Sequence, residues 1–192
     1  MKRLYLPLLA ITLTLGLHWS CGTTKNAEAI ALKSSQFETL KELVAGKSFE
    51  IAVETAYPMN TYAVMQVTSA LLRNTGNAPG RINVMGNGDF IKINGDTVQG
   101  ELSYFGEVRN VGVYTPSESG INFDGEPNSY EVTENEKKQS IRVEFDIKSK
   151  LELYTVVMEL YPNNKATVFI NSMNRTSIRY DGTVKELEES DT

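Results

Sequence analysis

The chain is poor in the side chains that most protein chemistry draws on. Its 192 residues include one Cys, one His and one Trp, and these are Cys21, His18 and Trp19, all within four positions near the N-terminus. One Cys permits no intramolecular disulfide, so stability must come from a packed core. No apolar run reaches the roughly 20 residues that a helix needs to cross a bilayer. Positive charge is also in the minority, with 19 Lys and Arg against 24 Asp and Glu for a formal charge of −5. No basic stripe interleaved with aromatics is present, which argues against a nucleic-acid partner. The remaining composition, 41% hydrophobic and 22% charged with 14 Gly and 6 Pro, fits a globular domain and excludes collagen-like, coiled-coil and wholly disordered chains.

The N-terminus carries a different signature. Lys2 and Arg3 precede the apolar run from Leu4 to Leu17, the charged and apolar regions of a secretory signal. The run ends at Ser20-Cys21-Gly22, followed by the polar Thr23-Thr24-Lys25-Asn26. This resembles a bacterial lipoprotein signal, in which the thiol becomes a thioether to diacylglycerol and cleavage leaves Cys21 as the new terminus. A simple secretory signal cut nearby, with Cys21 left as a free thiol, is the alternative reading. Several acyl chains hold a protein stably on a membrane, where one binds only marginally. The expected organisation is a signal peptide over 1–20, a flexible tether over 21–34, a single β-rich domain over 35–182 and an acidic, frayed tail over 183–192. Removing 20 of the 192 residues leaves 172; without Lys2 and Arg3, 17 of the 19 basic residues remain against 24 acidic ones, for a charge of −7. That mature chain has no His and no Trp.

Within the domain, Ser35-Gln36-Phe37-Glu38 reads as a capping box. Phe37, Leu40, Leu43 and Val44 share one face, which predicts a short amphipathic helix from Gln36 to Ala45, with Gly46 closing it in the left-handed conformation. From Ser48 the period becomes two. Phe49, Ile51, Val53 and Thr55 alternate with Ser48, Glu50, Ala52 and Glu54, as in a strand buried on one face. Asn94-Gly95-Asp96 between Phe90–Ile93 and Thr97–Leu102 is a strong hairpin signal. Ile141, Val143, Phe145 and Ile147 point one way while Arg142, Glu144, Asp146 and Lys148 point the other. Leu151 to Leu160 is apolar on both faces and predicts a central strand. Pro162 to Lys165 is turn chemistry before a strand over Ala166–Asn171, and Thr176 to Tyr180 predicts the last strand. Asn74 to Gly80 and Val108 to Gly120 read as loops. The fold class expected is mainly β: an antiparallel meander curled into a partly closed barrel or a two-sheet sandwich, with one short N-terminal helix.

Five ordered motifs carry a family resemblance: Tyr57-Pro58-Met59, Gly95-Asp96-Thr97-Val98, Leu102-Ser103-Tyr104-Phe105-Gly106, Gly120-Ile121-Asn122-Phe123 and Asn174-Arg175-Thr176-Ser177-Ile178-Arg179-Tyr180. Together they resemble domain-of-unknown-function family 4251 from about Phe37 to Gly182. Ser103 stands where the family usually has Pro. The resemblance implies an exported lipoprotein of Bacteroidota and no established activity. Surface-exported lipoproteins of that phylum usually carry an acidic stretch after the Cys, and Gly22 to Asn26 has none. The expected location is therefore the outer membrane, facing the periplasm.

The chemistry left to the mature chain is narrow. Without His or a second Cys, nucleophilic triads and zinc sites are excluded, and neither a metal nor a cofactor is expected. A glycosidase-type carboxylate pair could be drawn from Asp96, Glu101, Asp124 and Glu126, although Asp124-Gly125-Glu126 also reads as a solvated turn without calcium-loop spacing. Asn174 and Arg175 sit in a polar step between strands. Arg175 could grip an anion, or pair with a structural carboxylate such as Asp96 and stack on a Tyr. Tyr104 and Phe105 offer either a binding platform or core packing. The candidate ligand contacts are thus Tyr104, Phe105, Asn174 and Arg175, with Cys21 as the lipidation site. The function expected is a non-enzymatic, lipid-anchored envelope module that binds an envelope protein, a glycan or a small apolar ligand. The alternatives are a lipid or small-molecule carrier with a barrel cavity, and a carboxylate-dependent glycan hydrolase.

Overall fold

The computed structural model describes residues 23–59, 61–109, 120–150 and 152–187, and Cys21 lies outside them. The chain divides into two compact units, Met1–Ser35 and Gln36–Thr192. Helix α1 spans Thr23–Ala45, so it begins well before the expected start at Gln36 and runs through the segment expected to be a tether. Lys25 to Lys33 is built from Ala, Leu, Ile, Lys, Glu and Asn without Gly or Pro, and strong helix formers carry the helix backwards. Ser35 and Glu38 are consequently interior residues of the helix. In the second unit, Phe37, Leu40 and Val44 are buried and Leu43 packs against the same core. Lys47, with φ of 49°, takes the left-handed position expected of Gly46.

Ten strands follow, with one further helix among the described residues. They are β1 (Ser48–Pro58), α2 (Tyr62–Leu71), β2 (Ile82–Asn83), β3 (Phe90–Asn94), β4 (Thr97–Leu102), β5 (Ile121–Gly125), β6 (Ser129–Asn135), β7 (Ser140–Lys148), β8 (Leu153–Leu160), β9 (Lys165–Ser172) and β10 (Ile178–Glu186). Each strand pairing is antiparallel, in the order β5-β4-β3-β1-β10-β9-β8-β7-β6, with β2 also on β1. The sheet is thus a curled half-barrel and not a sandwich. Strands β5 and β6 end opposite sides of the sheet, yet only residues 126–128 separate them. Four Cα steps reach at most about 15 Å, so the sheet has to bend until its two sides approach. Across the resulting interior, Phe123 of β5 meets Phe145 of β7 at 6.0 Å and Tyr154 of β8 at 6.1 Å between ring centroids.

The interior is filled by alternating residues. Phe49, Ile51, Ile91, Ile93, Phe145, Tyr154, Met158 and Tyr180 are almost completely buried. In β7 the expected Ile141, Val143, Phe145 and Ile147 all face inward. Strand β8 alternates too, with Tyr154, Val156, Met158 and Leu160 inside and Val157 the one apolar residue buried on the outer side. The final strand continues past the expected boundary at Tyr180: Val184 is buried and residues through Glu186 pair with β1, so the start of the expected tail is a central strand. Asp124 and Gly125, expected in a turn, close β5.

In β1 the register shifts between Val53 and Thr55, leaving Glu54 as the extra residue of a bulge. Before it Phe49, Ile51 and Val53 face inward; after it Ala56 and Pro58 do. The Glu54 carbonyl, released from the ladder, accepts the Val84 amide at 3.0 Å, and its carboxylate accepts the Thr183 hydroxyl at 2.5 Å. Opposite the bulge lies Gly182, where any Cβ would collide with the Ala52 carbonyl oxygen. Replacing Gly182 by Ala is expected to cost about 1–3 kcal/mol, as overpacking against an immobile backbone does. Urea unfolding would show it as a lower midpoint at constant slope, and an unchanged midpoint would refute the close approach.

Candidate functional site

One end of the half-barrel gathers a set of polar residues that includes members of the Leu102–Gly106 and Asn174–Tyr180 motifs. Glu152 immediately precedes β8, Ser172 ends β9, and Arg175 lies in the link to β10. The segment after β4 is zipped onto this link: Val108 bridges Arg175, the Thr176 amide donates to the Glu107 carbonyl at 2.9 Å, and the Arg109 amide donates to the Asn174 carbonyl at 2.8 Å. At its centre is a buried ion pair, with Arg175 Nε 2.6 Å from Glu152 Oε1 and side-chain exposures of 3% and 1%. Tyr154 donates its hydroxyl to the same oxygen at 2.5 Å, and the Ser172 hydroxyl bonds to Oε2. Burial alone would raise the Glu152 pKa. The hydrogen bonds from Ser172, Tyr154 and Arg175 outweigh it and hold the carboxyl below its ordinary value.

Arg175 also stacks on Tyr104, its guanidinium carbon 4.9 Å from the ring centroid. The Tyr104 hydroxyl reaches the Thr176 and Glu107 carbonyls at 2.9 and 3.0 Å, and burial raises its pKa. The carboxylate expected for Arg175 was Asp96. Asp96 lies instead in the β3–β4 turn, where Lys47 Nζ is 2.9 Å away, because the hairpin carries it to the opposite end of those strands. Of the four candidate contacts, Tyr104 and Arg175 therefore belong to one network. Phe105 packs against the core, and Asn174 is half-buried, its amide donating to the Ser172 hydroxyl at 3.2 Å. Glu152, Tyr154 and Ser172 were not anticipated; a charged residue inside the apolar run from Leu151 to Leu160 was the available sign.

The four candidate carboxylates do not meet in one place. Glu101 and Asp124 lie diagonally on the outer face of β4 and β5, whereas Asp96 and Glu126 share a hollow with Lys47 and Tyr130. Two hollows open beside the ion pair. The first, about 420 Å³, runs between β5 and the β7–β8 turn; Glu101, Asn122 and Asp124 line one wall, Lys148 and Lys150 the other, with Tyr154 and Arg175 between them. The second, about 430 Å³, is lined by Asn87, Asp89 and Ser103 and shares Glu101, Gly120 and Asn122 with the first. Within it, Asp89 Oδ1 accepts the Ser103 hydroxyl at 2.9 Å, while the buried Oδ2 has no hydrogen bond among the described residues. Leaving a buried acceptor unpaired costs about 1–3 kcal/mol. Beyond β5, the sheet has no further strand among the described residues.

Comparison with other proteins gives a consistent result for the fold. A family model described as a domain of unknown function, DUF4251, matches residues 31–184. The crystal structure of a DUF4251 family protein from Bacteroides eggerthii is similar with a TM-score of 0.53 at 15% identity, over 81% of this chain and 91% of that one. No curated protein matches the chain.

Changing Glu152 to Gln strands the Arg175 charge, and breaking such a buried pair typically costs about 3–5 kcal/mol. Because the folded pKa of Glu152 lies below that of an ordinary carboxyl, its contribution is complete above the ordinary value and is lost as pH falls through the folded pKa. Denaturant unfolding from pH 7 to pH 3 is expected to show a steeper acid loss in the wild type than in Glu152→Gln. Parallel curves would refute the assignment.

Proposed function

This chain belongs to the DUF4251 family of domains of unknown function, and from that premise we propose that it is a non-enzymatic binding module of the cell envelope. In this reading it is lipid-anchored through Cys21 at the outer membrane, faces the periplasm, and takes an extended peptide along β5. The observation that carries the proposal is the seam between β5 and the β7–β8 turn, whose walls bear charges of opposite sign: Glu101 and Asp124 against Lys148 and Lys150. A sheet edge offers main-chain hydrogen bonds to an added strand, and flanking side chains select its sequence. Opposed walls suit a peptide with both charge signs.

The filled interior supports this reading over a carrier. Phe145, Tyr154, Met158 and Tyr180 occupy the space that a lipid would need. A hydrolase is less well supported, because Glu101 and Asp124 are exposed on an outer strand face and not across a closed cleft. The orientation and the anchor rest on the sequence of the signal and of the residues after Cys21.

A photo-crosslinking side chain at Asn122, with Thr133 on β6 as the control, tests the reading in the native envelope. A discrete protein adduct at Asn122, absent from Thr133 and lost in Lys148→Glu/Lys150→Glu, is the expected result. Adducts equal at both positions, or attached to lipid, would overturn it.

A further inference from the structure

The geometry points to the Asp89 hollow as a subsite for a primary ammonium group, a lysine side chain or a chain N-terminus of the bound peptide. Asp89 is 9% exposed, and among the described residues its buried Oδ2 meets no donor. Among the described residues, those that line the hollow include two carboxylates, Asp89 and Glu101, and no Lys or Arg. The side-chain amides of Asn87 and Asn122 each add an acceptor oxygen. An ammonium carries three donors and a charge of the opposite sign, so it matches a wall rich in acceptors. The χ2 torsion of Asp89 is soft, so a partial turn of the carboxylate would bring an oxygen to the hollow, where the ammonium would supply the donor that Oδ2 lacks.

A hard divalent cation fits less well. Calcium takes six to eight oxygen ligands, and among the described residues no group of three His, Cys, Asp or Glu is placed to hold a metal. The hollow adjoins the seam through Glu101, Gly120 and Asn122. A strand lying on β5 could therefore place one side chain or its terminus beside Asp89. The inference rests on the peptide reading above for the source of the ammonium, while the subsite is probed with a single amino acid.

The probe is Nα-acetyl-lysine methylamide, whose only charge is the ammonium, titrated into 15N-labelled protein and followed by amide shifts. Saturable shifts at Asn87, Gly88, Asp89 and Ser103 are expected, with none for the Nε-acetylated form. Asp89→Asn should weaken binding about tenfold or more, as loss of a charge-assisted hydrogen bond does. Glu101→Gln, on an exposed strand position, should weaken it severalfold without disturbing the rest of the spectrum. Equal binding of the acetylated probe, no saturable shift, or tighter saturation of the same amides by calcium chloride would each overturn the subsite. An Asn122 adduct with no lysine binding would remove this inference alone; lysine binding with no adduct would instead remove the peptide reading.

Discussion

The architecture depends on the short link between β5 and β6. Nine strands in the main path are separated by eight gaps, which at about 4.8 Å each would place the two sides of a flat sheet about 38 Å apart. Residues 126–128 cannot bridge that distance, so the sheet must curl, and curling decides what can lie inside. The interior is narrow enough for alternate side chains to fill it, and it closes through the rings of Phe123, Phe145 and Tyr154 instead of through a complete hydrogen-bonded ladder. The seam of the half-barrel is a result of the same closure. Gly100 belongs to it as well: it pairs with Phe123, whose ring occupies the space where a Cβ would stand.

The ion pair of Glu152 and Arg175 stabilises the end of this structure in a different way from the apolar core. Two charges taken from water gain little over well-packed apolar residues, so the pair is not explained by stability alone. What it supplies is position. Glu152 is satisfied from β8, from the end of β9 and from the link to β10, and Arg175 stacks on a residue of the segment after β4. Three separate stretches of chain, 152–154, 172–175 and the one that carries Tyr104, are thereby held in one geometry.

Much of this was legible from local pattern. The two-residue period of Ile141 to Ile147 fixed the inner face of β7, and Asn94-Gly95-Asp96 marked the hairpin of β3 and β4, because both depend on neighbouring residues only. The beginning of α1 was misplaced since Ser35 and Glu38 imitate a start signal inside a longer helix. Helix α2 escaped notice because its β-branched Val and Thr residues dilute the helical pattern, and β6 because an edge strand exposed on both faces has no alternation to detect. At the site, the Tyr stacking on Arg175 was anticipated and its carboxylate was not. Glu152 and Arg175 are 23 residues apart, and nothing in their local sequence shows that β8 and β9 fold back to join them. The solitary oxygen of Asp89 is likewise a product of tertiary packing.

The wiring of β1 has a consequence for when the molecule can fold. This strand lies between β3 and β10, and its Phe49 pairs with Glu186 near the opposite end of the chain. Contacts so distant in sequence are slow to form, since a long loop must close before they contribute. Strand β1 thus waits for β10, and β1 and β9 each lack one neighbouring strand until then. A chain connected in this way completes its centre only after β10 has arrived, so the order of synthesis and the order of assembly are forced to differ.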